Sequence, residues 1–220
     1  MKLCPKSPWW LISTSEPRII IPTRCGSYKC DVCRPAKVAQ RLRVTTWGAS
    51  KADAIRLLTL TKVPEDWQHA RGQIRDFVRR IRKAYDIQFA WAIEANPKGT
   101  GSHAHAITHG EYIPKDRLRE MWGGRFIDIR RVEGGANDYL TKCAQVCGYT
   151  GKSVEVHLAR NGGRAIHLTR GYLHGKTSRE VLKLMSTGKE WRLRLATREE
   201  MESYGVGLDK DAGQDTIKPR

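Results

Sequence analysis

Ile87-Gln88-Phe89-Ala90-Trp91-Ala92-Ile93-Glu94 (87–94), the turn Asn96-Pro97-Lys98-Gly99-Thr100-Gly101-Ser102 (96–102) and His103-Ala104-His105-Ala106-Ile107-Thr108 (103–108) read together as a β-hairpin. Side chains alternate across a strand, so His103 and His105 point one way and Ala104 and Ala106 the other, where helices can pack. Glu94 ends the first strand, and the hairpin brings its carboxylate beside the two imidazoles. Two imidazoles and a carboxylate that leave coordination positions open suit a catalytic rather than a structural metal site.

The elements around the hairpin set the fold class. Residues 36–47 suit a short helix. Ile55-Arg56-Leu57-Leu58-Thr59-Leu60-Thr61 is β-prone and reads as a buried strand. Ala70, Ile74, Phe77, Val78, Ile81 and Tyr85 repeat at helical spacing over about 65–85. A short helix is expected over 114–122, and a strand over 124–132, where Ile127 and Ile129 alternate with Asp128 and Arg130. A helix over 136–147 carries Tyr139. Beyond it come a strand over 165–169, a helix over 177–185 opened by a Thr177–Glu180 capping box, and a strand over 191–196. The order β-α-β-β-α-β-α predicts an α+β fold, an antiparallel β-sheet with helices packed on one face.

The chain has 220 residues and a formal net charge of +17, with a pI near 9.9. That balance favours a polyanionic partner, nucleic acid by default. The apolar run Trp9-Trp10-Leu11-Ile12 is too short for a signal peptide, and no stretch approaches the ~20 apolar residues of a membrane span. A cytoplasmic location is expected, in which cysteines stay reduced and ligate metal more readily than they form disulfides. Residues 1–35 hold four of the six cysteines and five of the nine prolines, with little periodicity. Cys25, Cys30 and Cys33, with Cys4 upstream, suit a tetrahedral Zn²⁺ site in a segment with little else to form a core. The alternative is cysteines acting as small hydrophobes. Core packing is the reading for Cys143 and Cys147. The domains expected are a cysteine-rich zinc-binding module and helix at 1–48, a catalytic domain at 49–200 and a polar, disordered tail at 201–220.

Asn137-Asp138-Tyr139-Leu140-Thr141-Lys142 places Tyr139 and Lys142 on one helix face. A phenol can attack phosphorus and hold a covalent intermediate, and an ammonium beside it can hold the phosphate. Leu57-Leu58-Thr59-Leu60-Thr61, Glu94 with His103-Ala104-His105, and Tyr139-Leu140-Thr141-Lys142 resemble the three ordered motifs of HUH endonucleases. Within these, the chain resembles the rolling-circle replication initiators of single-stranded DNA phages and plasmids. The resemblance spans roughly residues 55–150. It implies an HUH/Rep-like fold with an RRM-like core, Mg²⁺ or Mn²⁺ held by Glu94, His103 and His105, Tyr139 as nucleophile and Lys142 as phosphate-positioning group. It implies site-specific nicking and joining of single-stranded DNA at an origin, with host polymerase and helicase as partners. Ala104 departs from the bulkier apolar residue commoner there. An HUH transposase or relaxase, or a non-catalytic zinc-containing DNA-binding regulator, is the alternative.

Other residues refine the expectation. Thr59, Thr61, Arg71, Arg75 and Arg79 are candidates for DNA contact, although the arginines suit a solvated helix face equally. Trp9, Trp10 and Trp47 are candidates for base stacking, and Trp91 for the core. Gly151-Lys152-Ser153 and Gly175-Lys176-Thr177 have Val146 and Arg170 where a phosphate-binding loop needs its first glycine, so no ATPase is expected. Tyr149 lies ten residues past Tyr139, about 80° round and ~15 Å along a helix, so a single-tyrosine enzyme is expected.

Overall fold

The computed structural model describes residues 4–6, 9–14, 20–28, 30–64, 66–95, 101–133, 142–143, 161, 164, 166–185 and 193–203. The chain divides into two compact units, Met1–Pro35 with Thr187–Arg220, and Ala36–Ser186.

The larger unit is built on a five-stranded antiparallel sheet of β3 (Ile55–Val63), β4 (Ile87–Ala95), β5 (Ser102–Gly110), β6 (Ile127–Arg131) and β7 (His167–Leu168), in the order β6-β3-β5-β4-β7. The expected hairpin is β4–β5, in a register that sets Glu94 opposite His103 and Ala92 opposite His105. Its far end needs a glycine. Gly110 has a φ of +107°, and a Cβ there would lie 2.3 Å from the Asp86 carbonyl oxygen.

Helix α2 (Trp67–Ala84) forms where the helical spacing predicts it. Asp66 caps it by accepting from the His69 amide at 2.9 Å, and Arg82 and Lys83 sit in the last turn, where cations suit the helix dipole. Its apolar stripe, Ala70, Ile74, Phe77, Val78 and Ile81, packs on Leu58, Leu60, Phe89, Trp91, Ile93, Ala104 and Ala106. Helix α3 (Lys115–Met121) joins the same layer through Leu118, and Trp122 meets Phe77 edge-on at 5.1 Å. Each fully buried Phe or Ile there stabilises the fold by roughly 1.5–3 kcal/mol.

The opposite face of the sheet is covered as well, where helices on one face only were expected. Ala90, Ala92 and Ile107 form a second buried cluster with Val44 and Ala49 of α1 (Arg34–Ser50), Val181 of α4 (Ser178–Met185), Tyr172, Leu173 and Cys143. The alternating strands carry apolar residues on both faces at these positions, so both faces must be covered. Gly48 is the point of closest approach, since a Cβ there would lie 2.6 Å from the Tyr172 ring. The predicted capping box of α4 forms, with Thr177 Oγ1 accepting from the Glu180 amide and Glu180 accepting from the Thr177 amide.

The smaller unit holds a three-stranded antiparallel sheet, β2 (Ile20–Pro22), β1 (Trp10–Ser13) and β8 (Leu193–Leu195) in that order, with α5 (Arg198–Ser203) after it. Two strands thus lie within the segment 1–35 that reads as loop-rich. β8 and α5 group with them rather than with the domain expected at 49–200, because β8 pairs with β1, Leu195 opposite Leu11. Helix α5 also runs to Ser203, into the tail expected to start at 201. Residues 204–220 lie outside the described residues.

Candidate functional site

Three ligand atoms converge at the open end of the β4–β5 hairpin. His103 Nε2 and His105 Nε2 are 3.1 Å apart, and Glu94 Oε2 lies 3.4 Å and 3.6 Å from them. The register makes this inevitable: Glu94 and His103 are direct cross-strand partners, and His105 is two residues further on the same face. Glu94 is 4% exposed and His105 8%. A buried carboxylate facing two ring nitrogens calls for a cation between them. The separations fit one, because a single point can lie about 2.0–2.2 Å from all three atoms, the range of metal–nitrogen and metal–oxygen bonds. Three protein ligands leave positions open for a substrate.

Two further side chains hold this triad. Thr59, opposite His105 on β3, has its hydroxyl 3.0 Å from His105 Nδ1. With Nε2 as the ligand atom, Nδ1 carries the hydrogen and donates to Thr59 Oγ1, which fixes tautomer and ring orientation. Asn161, fully buried, accepts from the Ile93 amide and donates to the Ile93 carbonyl oxygen, both at 2.8 Å. Its carboxamide thus pairs with β4 like a strand residue, next to Glu94 and beyond the short β7, which reaches only Ala90 and Trp91. The sequence carries no signal for Asn161, since it lies 68 residues from its partner. Thr59 is legible only as a β-prone residue.

The other expected residues fall into three groups. Lys142 and Cys143 are helical, with Lys142 half-buried and Cys143 fully buried, as core packing requires. Cys143 shares a cluster with Ala92, the register partner of His105, so this segment lies on the triad's face of the sheet. Tyr139, Cys147 and Tyr149 lie outside the described residues. Thr61 donates to the Phe126 carbonyl oxygen at 2.7 Å, close to the triad on β3. Arg71, Arg75 and Arg79 are on α2, which packs on the sheet face opposite the triad. Arg71 lies 5.9 Å over the Trp67 ring, and Arg79 pairs with Asp76 at 3.3 Å. Among the tryptophans, Trp10 and Trp91 are buried, Trp91 stacked on His167 at 4.1 Å, whereas Trp9 is 48% exposed.

The smaller unit has its own cluster. The thiols of Cys4, Cys25, Cys30 and Cys33 lie within 4.8 Å of one another, and none forms a disulfide. The Cys4–Cys30 and Cys25–Cys33 sulfur distances are both 3.7 Å. Tetrahedral thiolates about 2.3 Å from a zinc ion would be ~3.8 Å apart, so the four residues fit that ion. The Cys33 and Arg34 amides both donate to the Cys30 carbonyl oxygen, closing a knuckle. Burial pushes Cys4 up, but hydrogen bonds from the Cys25 backbone and from the Cys33 and Cys25 thiols outweigh it and hold the thiol at about 6. Burial pushes Cys33 up to about 11, helped by its hydrogen bond with Cys4. A thiol that ionises as readily as Cys4 is primed to bind metal.

The stretch that builds the triad is also the stretch with a recognisable lineage. Residues 55–152, from the start of β3 through the tyrosine segment, match the family model of the replication-associated protein ORF2. The match supports a replication-associated protein of the initiator type. Among solved structures, the chain is similar to the crystal structure of the hypothetical protein ORF119 from Sulfolobus islandicus rod-shaped virus 1. Identity is 15% and the TM-score 0.40, over 50% of this chain and 94% of that one. No curated protein matches. Among the described residues, no helix is long and apolar enough to cross a membrane.

Proposed function

We propose that the protein nicks and rejoins single-stranded DNA through a 5′-phosphotyrosine intermediate and so starts rolling-circle replication. The observation that carries this reading is the Glu94–His103–His105 cluster, buried, on adjacent strands and inside the segment that matches a replication-associated family. Those three residues would hold Mg²⁺ or Mn²⁺, which supplies charge to polarise the scissile phosphate and offset charge developing on it.

The chain's own groups do the rest. The Tyr139 phenol oxygen attacks the phosphorus and the bond from phosphorus to the 3′ oxygen breaks. The phenolic proton is lost, the departing 3′ oxygen takes up a proton, and the 5′ phosphate stays on Tyr139. Rejoining is the reverse: a 3′-OH attacks the phosphotyrosine and releases the phenol. Lys142, three residues from Tyr139, places an ammonium where it can hold the phosphate. Cys143, four residues from Tyr139, is anchored beside Ala92. That length of chain spans at most ~14 Å, so the phenol can reach the triad. Thr59 keeps His105 aimed. The four-cysteine cluster is read as a structural zinc site.

Tyr139→Phe tests the reading. It should abolish nicking of single-stranded DNA in the presence of Mn²⁺ while leaving DNA affinity nearly unchanged, because phosphate contacts across a chain of charge +17 dominate that affinity. Undiminished nicking by this variant overturns the assignment.

A further inference from the structure

Phe126 opens the edge strand β6 and is 60% exposed, although the next residue, Ile127, is fully buried. A lone exposed apolar side chain means little. The setting of this one is specific. β6 pairs with β3 so that Asp128 stands opposite Thr59, and Thr59 stands opposite His105. The triad and the start of β6 are therefore two strands apart, about 10 Å at the usual strand spacing. The Phe126 backbone is tied to that neighbourhood by the hydrogen bond from Thr61. DNA whose phosphate lies at the triad must cross this part of the surface if it runs toward β6.

Cations flank the ring. Lys115 Nζ lies 5.4 Å from its centroid, and most of the ring's surface remains open. Arg130 is on β6 four residues on, its side chain 76% exposed, with Nε 2.7 Å from Asp128. On the β3 side the strand is bulged between Leu60 and Val63, and Lys62 has a φ of 56°. Its carbonyl oxygen accepts from Arg125. Bulges of this kind re-aim side chains beside functional sites. An open aromatic ring fringed by cations is the pairing that single-stranded nucleic acid uses, one element for the base and the other for the backbone.

We infer that Phe126 is a stacking platform for a base of single-stranded DNA near the phosphate engaged at the Glu94–His103–His105 centre, with Lys115 and Arg130 taking neighbouring phosphates. The inference rests on the proposed function for its ligand but not on the chemistry, and stacking is measurable where no strand is cut.

The experiment is equilibrium binding of a fluorescent oligothymidine, and of an abasic strand of equal length, to the full chain in chelator-free buffer without added Mn²⁺. Phe126→Ala should weaken oligothymidine binding roughly 5- to 100-fold and leave the salt dependence unchanged. It should leave abasic-strand binding and the melting temperature unaltered. Phe126→Trp should restore affinity. Lys115→Ala should instead weaken both strands and flatten the salt dependence. The inference is overturned if Phe126→Ala binds oligothymidine like the wild type, if both strands lose affinity equally, or if the wild type binds neither. A chain that stacks bases through Phe126 yet never nicks would refute the proposed reaction and leave the platform standing.

Discussion

The two metal-ligand clusters are built in opposite ways. The four thiols of the smaller unit come from loop and knuckle positions, and their only common element is one another. Glu94, His103 and His105 come from two strands locked in register, backed by a large apolar cluster on the other side of the sheet. Four thiolates complete a tetrahedron and close it, whereas three ligands leave room for a substrate. One site should depend on its ion to exist. The other should exist before its ion arrives and use it for chemistry.

The strongest way to break that contrast is to remove ligands from the sheet. His103→Ala and His105→Ala should each abolish Mn²⁺-dependent nicking, with far-UV circular dichroism and the melting temperature close to wild type. Unfolding on loss of either histidine would mean that the triad is structural too.

The matching test on the loop cluster is Cys30→Ser. The purified, reduced wild type should carry about one zinc per chain, and the variant none. Zinc coordination by such sites is worth on the order of 10 kcal/mol, so residues 4–33 should lose hydrogen-exchange protection while the five-stranded sheet keeps it. Elemental analysis finding no zinc in the wild type would remove the site.

Asn161→Ala sharpens the claim that the sheet pre-forms the triad. It leaves the buried Ile93 amide and carbonyl without their partner, at a cost of roughly 2–4 kcal/mol. Chemical denaturation should show that loss, and Mn²⁺ affinity should fall with it, because Glu94 adjoins Ile93. A variant as stable as wild type would show that water replaces the carboxamide. Thr59→Val is the mildest: metal affinity should drop about 10- to 100-fold, with stability held. Unchanged Mn²⁺ titration would show that His105 needs no orienting hydroxyl.

How much of this could be read in the sequence follows from range. The hairpin and its triad were legible because Glu94 to His105 is local, and alternation alone sorts histidines from alanines. Helix α2 was legible from its spacing and caps. The sheet of the smaller unit was not, since its strands are three or four residues long and β8 lies more than 170 residues after β1. Nor could spacing reveal Asn161, whose partner is remote. Arg71, Arg75 and Arg79 illustrate the other limit: charge shows in the sequence, but the face of the sheet on which α2 packs does not. Phe126 could have been noticed. It alternates in phase with Asp128 and Arg130, not with Ile127 and Ile129, and so belongs to the polar side of its strand.

The central claim is a tyrosine acting beside a strand-built metal centre. The direct measurement is peptide mapping of the covalent complex formed by wild-type protein, Mn²⁺ and a pool of single-stranded oligonucleotides. The account predicts DNA joined to Tyr139 alone, with no adduct in chelator. An adduct on Tyr149, or one that forms undiminished in chelator, would contradict it.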